Sequence, residues 1–292
     1  MTGLLLLHPA FAEGDSPAPQ TQTQSAPSAQ AAPAAGDSPP APQTRSLRRR
    51  ERRNPLRPRG VPTRDPKAAQ ILQEVLQAYG GEDYLRSVRS LFIRTRQWRG
   101  EGDQAEEILV TQYWKEPNLY RHEVENSRGT RIMAYNGRYG WNDLGQGVTI
   151  APRSMNRHIE DLVRDINEPL SHLDEGNSLE YVGASELDGQ AVDVVRVTRS
   201  SGKIKILHID RDSRRVLMKE VAKYREPDVI IARRRFLDFR QVDQTWVAFV
   251  EEDLTGEVPH RVEVVDFIPN QAIDDRLFDS PLPLFEETPP LR

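Results

Sequence analysis

The sequence predicts an α+β fold, a strongly curved antiparallel sheet forming an incomplete β-barrel of about 11 strands, with helices covering its concave face. Three observations predict it. Beyond residue 89, segments of strand length with alternating apolar and polar residues follow one another, many joined by hairpin-type turns such as Asn136-Gly137, Asp188-Gly189 and Ser201-Gly202. No βαβ repeat occurs, which excludes Rossmann and TIM-barrel architectures. Only two segments carry a helical period, too few to cover so many strands laid flat, so the sheet must curl over its own apolar face.

The first of these helices is expected over 66–79. Ala69, Leu72, Val75, Leu76 and Tyr79 fall on one face, Asp65 stands ahead of Pro66 as N-cap, and Gly80-Gly81 closes the end. Strands are expected at 90–98, 107–114, 119–125, 130–135, 179–183, 191–198, 203–210, 216–224, 229–239, 245–252 and 261–267. The second helix, 154–173, interrupts them. Its stripe of Ile159, Leu162, Val163, Ile166, Leu170 and Leu173 must lie on something apolar.

Charge and proline are unevenly placed in the 292 residues. Eleven of the 22 prolines precede Thr63, where Lys+Arg exceed Asp+Glu by 8 − 4 = +4, while the rest of the chain carries 32 − 40 = −8. Residues 1–12 contain Leu4 to Leu7 and then Pro9-Ala10-Phe11-Ala12, a short apolar core and a small-x-small cleavage site. They read as the remnant of an export signal cleaved after Ala12, with its positive leader lying upstream. Residues 13–63 form a Pro/Ala/Gln-rich linker, expected to be disordered, that ends in an arm with eight arginines between Arg45 and Arg59. A single domain is expected over 64–285 and a tail over 286–292. The absence of cysteine excludes disulfides, thiolate nucleophiles and Cys-ligated metals.

Sites for chemistry are scarce. Gly100-x-Gly102-x-x-Ala105 fits a dinucleotide fingerprint formally, but the residues after it alternate as a strand and open no helix, so it reads as a polar hairpin loop. Ser200-Ser201-Gly202-Lys203 lacks the upstream glycine of a phosphate loop. His8, His122, His158, His172, His208 and His260 form no metal-binding pair, and His208 and His260 read as edge residues. His158, Asp161, Asp165, Glu168 and His172 share one face of the second helix, opposite its apolar stripe. That face is expected to be solvated, and one ion cannot bridge His158 and His172, about 21 Å apart at 1.5 Å per residue. No catalytic residue, cofactor or metal site is assigned.

Aromatic residues carry more information. Trp98, Trp114, Tyr135, Trp141, Phe239 and Trp246 sit in or beside strands and are candidates to line a ligand cavity under the curled sheet, although rings of this size also fill ordinary cores. Arg48, Arg49, Arg50, Arg52 and Arg53 are candidates to bind an anionic surface, because guanidinium groups pair bidentately with phosphate.

The order of short motifs resembles a known family. Tyr79-Gly80-Gly81 is followed by Tyr84-Leu85-Arg86-Ser87-Val88 before the first strand, and Pro117-Asn118-Leu119-Tyr120-Arg121 opens another. Tyr135-Asn136-Gly137-Arg138-Tyr139-Gly140-Trp141 forms a hairpin. Then come Leu187-Asp188-Gly189-Gln190, Leu207-His208-Ile209-Asp210 and the closing Ile273-Asp274-Asp275-Arg276-Leu277-Phe278. This series is similar to the superfamily of periplasmic lipoprotein-sorting carriers related to LolA and LolB, over about residues 66 to 283. The resemblance implies an incomplete barrel with a helical lid over an apolar cavity, which in the characterised carriers holds lipoprotein acyl chains.

The leading expectation is thus a non-enzymatic, exported, envelope-associated monomer whose partner is the acyl chain of a lipid or lipoprotein. An anionic membrane surface or cell-wall polymer is expected at the arm, and nucleic acid is not. The alternative is a structural or interaction module with a packed interior, tethered by the arginines. A hydrolase using Asp161, Asp165 and Glu168 is the third reading.

Overall fold

The computed structural model describes residues 62–99, 106–152, 163, 168–223, 226–256 and 260–281. Helix α1 spans Pro66–Ala78 and is started as its sequence dictates. The Asp65 carboxylate accepts from Lys67 N at 2.8 Å and Ala68 N at 3.2 Å, and proline, which has no N–H to satisfy, opens the first turn. Its buried face comprises Ala68, Ile71, Leu72, Val75 and Leu76, so the stripe is turned slightly from the expected one, and Ala69 lies at its margin. Gly80 ends the turn at φ 102°, where a Cβ would stand 2.7 Å from Gln244 O. Only glycine fits there. A second helix that periodicity did not reveal, α2 (Gly81–Ser87), follows at once and buries Tyr84 and Leu85.

The strands are β1 (Ser90–Arg99), β2 (Glu106–Lys115), β3 (Leu119–Asn126), β4 (Gly129–Asn136), β5 (Gly140–Asp143), β6 (Val148–Ile150), β7 (Ser178–Leu187), β8 (Gln190–Thr198), β9 (Ile204–Asp210), β10 (Val216–Lys223), β11 (Glu226–Val242), β12 (Thr245–Asp253) and β13 (His260–Pro269). Among the described residues they make one open antiparallel sheet of 13 strands, ordered β6-β5-β4-β3-β2-β1-β13-β12-β11-β10-β9-β8-β7. Two meanders are therefore joined at the centre by the pairing of β1 with β13. The eleven expected strands are present, and β5 and β6 are additional. The fold is α+β, an incomplete barrel, with β1 and β2 paired up to Arg99 and Glu106; Gly100 to Ala105, read above as a hairpin loop, lie outside the described residues. Of the expected 154–173 helix, Val163 and a short helix α3 (Glu168–His172) are helical among the described residues, Leu173 is in a turn, and the remainder lies outside them.

Alternation assigns the faces. Leu91, Ile93, Thr95 and Gln97 of β1 point to the helix-bearing side, and in register with them lie Trp114, Gln112, Val110 and Ile108 of β2. One apolar cluster packs Leu76 and α2 on β1–β4, β12 and β13. A second packs Ala68, Ile71, Leu72, Val75 and Tyr79 on β7–β12, and Leu173 touches both clusters. On the other side of the sheet the chain after β13 returns across β2–β5. Lys115 Nζ donates to Ile273 O at 2.8 Å, Arg121 to Leu277 O at 2.9 Å, and Phe278 is fully buried.

Candidate functional site

The six aromatic candidates do not converge. Trp114 and Tyr135 lie on the helix-bearing side, in the first cluster. Phe239 and Trp246 fringe the second, with the Arg215 guanidinium 5.5 Å and 3.8 Å from their ring centres. Trp141 is buried but pairs in register with Ala134 on the opposite face, where its Nε1 donates to Phe278 O at 2.8 Å. Trp98 shares that opposite face with Phe92 and Arg94 and is 38% exposed. Arg48, Arg49, Arg50, Arg52 and Arg53 lie outside the described residues, as do His158, Asp161 and Asp165.

Periodicity did not place the residues that do converge. Glu168 and His172, assigned above to a solvated helix face, are buried at 2% and 3% exposure. That expectation is corrected, and the reason is electrostatic: the sheet beneath α3 carries lysines. On β9, Lys205 shares its face with Leu207 and Ile209; on β10, Lys219 lies opposite Leu207. Both lysines therefore point inward. Glu168 Oε1 accepts from Lys205 Nζ, and Oε2 accepts from Lys219 Nζ at 3.0 Å. Burial alone would raise the Glu168 pKa, but the two ammonium groups reverse this and hold it well below the usual carboxylate range. His172 Nε2 lies 3.3 Å from Glu168 Oε1 without hydrogen-bond alignment, and burial lowers its pKa so that it is neutral.

The far end of α3 is tied independently. Asn177 Nδ2 donates to Ser171 O at 2.7 Å and His172 O at 3.3 Å, satisfying carbonyls at the helix end. Arg199 donates to Ser171 Oγ at 2.8 Å, and Arg64 to Asp174 O at 2.9 Å. Behind Lys219, Glu251 on β12 lies 3.2 Å from Arg234 of β11. Burial pushes the Glu251 pKa up to about 7 despite Arg234 and Lys219.

Between α1, α3 and β9–β11 a crevice of about 250 Å³, part of it open to solvent, is lined by Val75, Glu168, Pro169, His172, Leu207, Val216, Lys219 and Phe236. That volume includes open solvent, and the enclosed space is about the size of one water molecule, so the crevice is closed to an acyl chain as it stands. Its walls are apolar except where Glu168, His172 and Lys219 meet. None of the six aromatic candidates lines it.

No protein-family model matches the chain, and no curated protein matches it in sequence. Solved structures do match. A LolA superfamily protein from Nitrosomonas europaea aligns with TM-score 0.52 at 10% identity, covering 73% of this chain and 97% of that one. A DUF1329 family protein from Desulfovibrio piger aligns with TM-score 0.49 at 11% identity, covering 73% and 97%. A domain named for outer-membrane lipoprotein sorting, from Vibrio parahaemolyticus, aligns with TM-score 0.48 at 13% identity, covering 73% and 96%. The first of these carries the fold: the chain is LolA-like in architecture, as its order of motifs implied.

Proposed function

We propose that the chain is a non-enzymatic cell-envelope protein that holds an acyl chain, of a lipid or a lipoprotein, against the helix-bearing face of its sheet. The observation that carries this reading is the crevice roofed by α3 and floored by Val75, Leu207, Val216 and Phe236. Burying a methylene stabilises by about 0.8 kcal/mol, so an apolar floor alone supplies affinity for a long chain. As the crevice is closed to such a chain as it stands, loading requires α3 to lift from β9 and β10. The LolA-like fold supports the reading, because characterised carriers of that superfamily hold lipoprotein acyl chains. The apolar stretch and cleavage pattern of residues 1–12 support export, and the arm from Arg48 to Arg53 is then free to meet an anionic membrane or cell-wall polymer.

Native mass spectrometry of protein purified from its own envelope fraction, followed by solvent extraction, tests this. A stoichiometric acyl lipid is expected. The small size of the crevice favours the second reading, a module with a packed interior. A clean apo mass with no extractable lipid, together with no uptake of added fatty acid, would establish that reading and end the first.

A further inference from the structure

An acyl chain does not need the charges in the crevice. A purely hydrocarbon site would bury no ionised group, since taking a charge out of water is costly unless it is paired. Here two ammonium groups are built into the sheet, Lys205 at 1% exposure and Lys219 at 8%, on adjacent strands with both side chains on the helix-bearing face. They divide the two oxygens of one carboxylate between them. This is the arrangement with which two point charges hold a carboxylate or a phosphate. The cations belong to paired strands, β9 and β10, whereas the anion arrives on α3, the element that roofs the crevice. Lys219 also lines the crevice beside Phe236, its ammonium 5.8 Å from that ring centre. The opposite end of α3 is held by Asn177 and Arg199 at separate points.

We propose that Lys205 and Lys219 form an anion subsite that Glu168 fills in the unloaded protein, and that the single carboxylate or phosphate head group of an acyl ligand takes over from Glu168 on loading. The ligand tail then lies on Leu207, Val216 and Phe236. Exchanging one anion for another keeps both lysines compensated while α3 lifts, and Glu168 becomes solvated as it leaves. An uncharged amphiphile gives the lysines nothing in return for Glu168, and so finds the roof closed. The inference rests on the acyl-binding reading above and specifies its ligand as an anionic amphiphile.

Dodecanoate, dodecyl phosphate and 1-dodecanol share one chain and differ in the head. Their affinities for the full chain are measured directly by isothermal titration calorimetry. Dodecanoate and dodecyl phosphate are expected to bind at least about tenfold tighter than 1-dodecanol. Lys219→Gln is expected to reduce that preference below about threefold, and Lys219→Arg to restore it. Equal affinities of the three ligands for the unmodified protein would overturn the subsite and leave acyl binding standing, with no dependence on any variant folding. Failure of all three to bind would overturn the acyl reading and the subsite with it. Displacement of dodecanoate by an equal concentration of inorganic phosphate would assign the lysines to a free anion and overturn the lipid head group.

Discussion

The two meanders bury polarity in different ways. In β1–β6 the buried polar side chains are hydroxyls, amides and one imidazole: Ser90, Thr95, Gln97, Thr111, Gln112, His122 and Asn142. In and beside β7–β13 they are mostly charged: Asp193, Arg199, Lys205, Lys219, Glu220 and Glu251. A buried amide or hydroxyl needs only a neutral hydrogen bond, as Gln112 has from the Tyr120 hydroxyl at 3.1 Å and Ser90 makes to Gln271 O at 2.6 Å. A buried ammonium needs a counter-charge, and for Lys205 and Lys219 that charge comes from α3, outside the sheet. The second meander has thus made the position of a covering element depend on ion pairing. That dependence is what a releasable roof requires; the chain that covers the first meander is also tied by an ion pair, Lys115 with Asp275 at 2.5 Å, but that pair lies largely in water.

The largest effect expected from this difference is at Glu168. Glu168→Ala leaves two buried ammonium groups without their shared partner, which costs about 3–5 kcal/mol, measured by urea unfolding at neutral pH. The triple replacement Glu168→Leu, Lys205→Met, Lys219→Met removes the charges together and is expected to be near neutral or stabilising. A single-variant cost under about 1 kcal/mol would mean that the bridge is solvated, and the contrast between the meanders would fail.

Glu251 comes next. Its folded-state pKa, about 7, lies above the ordinary 4.5, so the folded protein holds a proton that the unfolded chain has released. Stability from this group is present below pH 4.5 and is lost as pH rises towards 7, on the order of 3 kcal/mol in all at 1.36 kcal/mol per pKa unit. His172, kept neutral by burial, pulls the other way as pH falls through its ordinary 6.5, so the unmodified protein reports only the net slope. Comparison with Glu251→Gln isolates the carboxyl. The stability of that variant relative to the unmodified protein is expected to climb from pH 4.5 to 7, and a flat difference would place Glu251 in contact with water.

Much of the architecture was legible because alternation is a strong signal wherever one sheet face is buried. The eleven expected strands all formed. The missed β5 and β6 are four and three residues long, too short for alternation to register, and around them lie Gly140, Gly145 and Gly147, which read as loop. The site was less legible, because acidic side chains on a helix ordinarily face water. A usable sign was present nonetheless. The run Ile204-Lys205-Ile206-Leu207-His208-Ile209 puts Lys205 in phase with Leu207 and Ile209, so once the strand is assigned this lysine must point inward. An inward lysine demands an anion, and Glu168 with His172 four residues on was available from the internal helix. The aromatic candidates scattered because large rings serve either sheet face: Trp141 is buried by the chain around Phe278, on the side away from the helices.

The smallest effect is expected in the first meander, and it is a test of shape as much as of size. Tyr120 is buried on β3, its hydroxyl donates to Gln112 Oε1 at 3.1 Å, and burial raises its pKa above the usual tyrosine value. Tyr120→Phe removes one neutral hydrogen bond without opening a cavity, so a loss of about 1 kcal/mol is expected. Neither partner titrates between about pH 5 and 8, so thermal unfolding should give the same difference across that window, in contrast to the rising difference at Glu251. A Tyr120→Phe loss that changed with pH, or that exceeded about 3 kcal/mol, would reveal a charge coupled to this network. The two meanders would then no longer differ in kind, and α3 would lose its distinction as the one covering element among the described residues whose seat depends on buried charge.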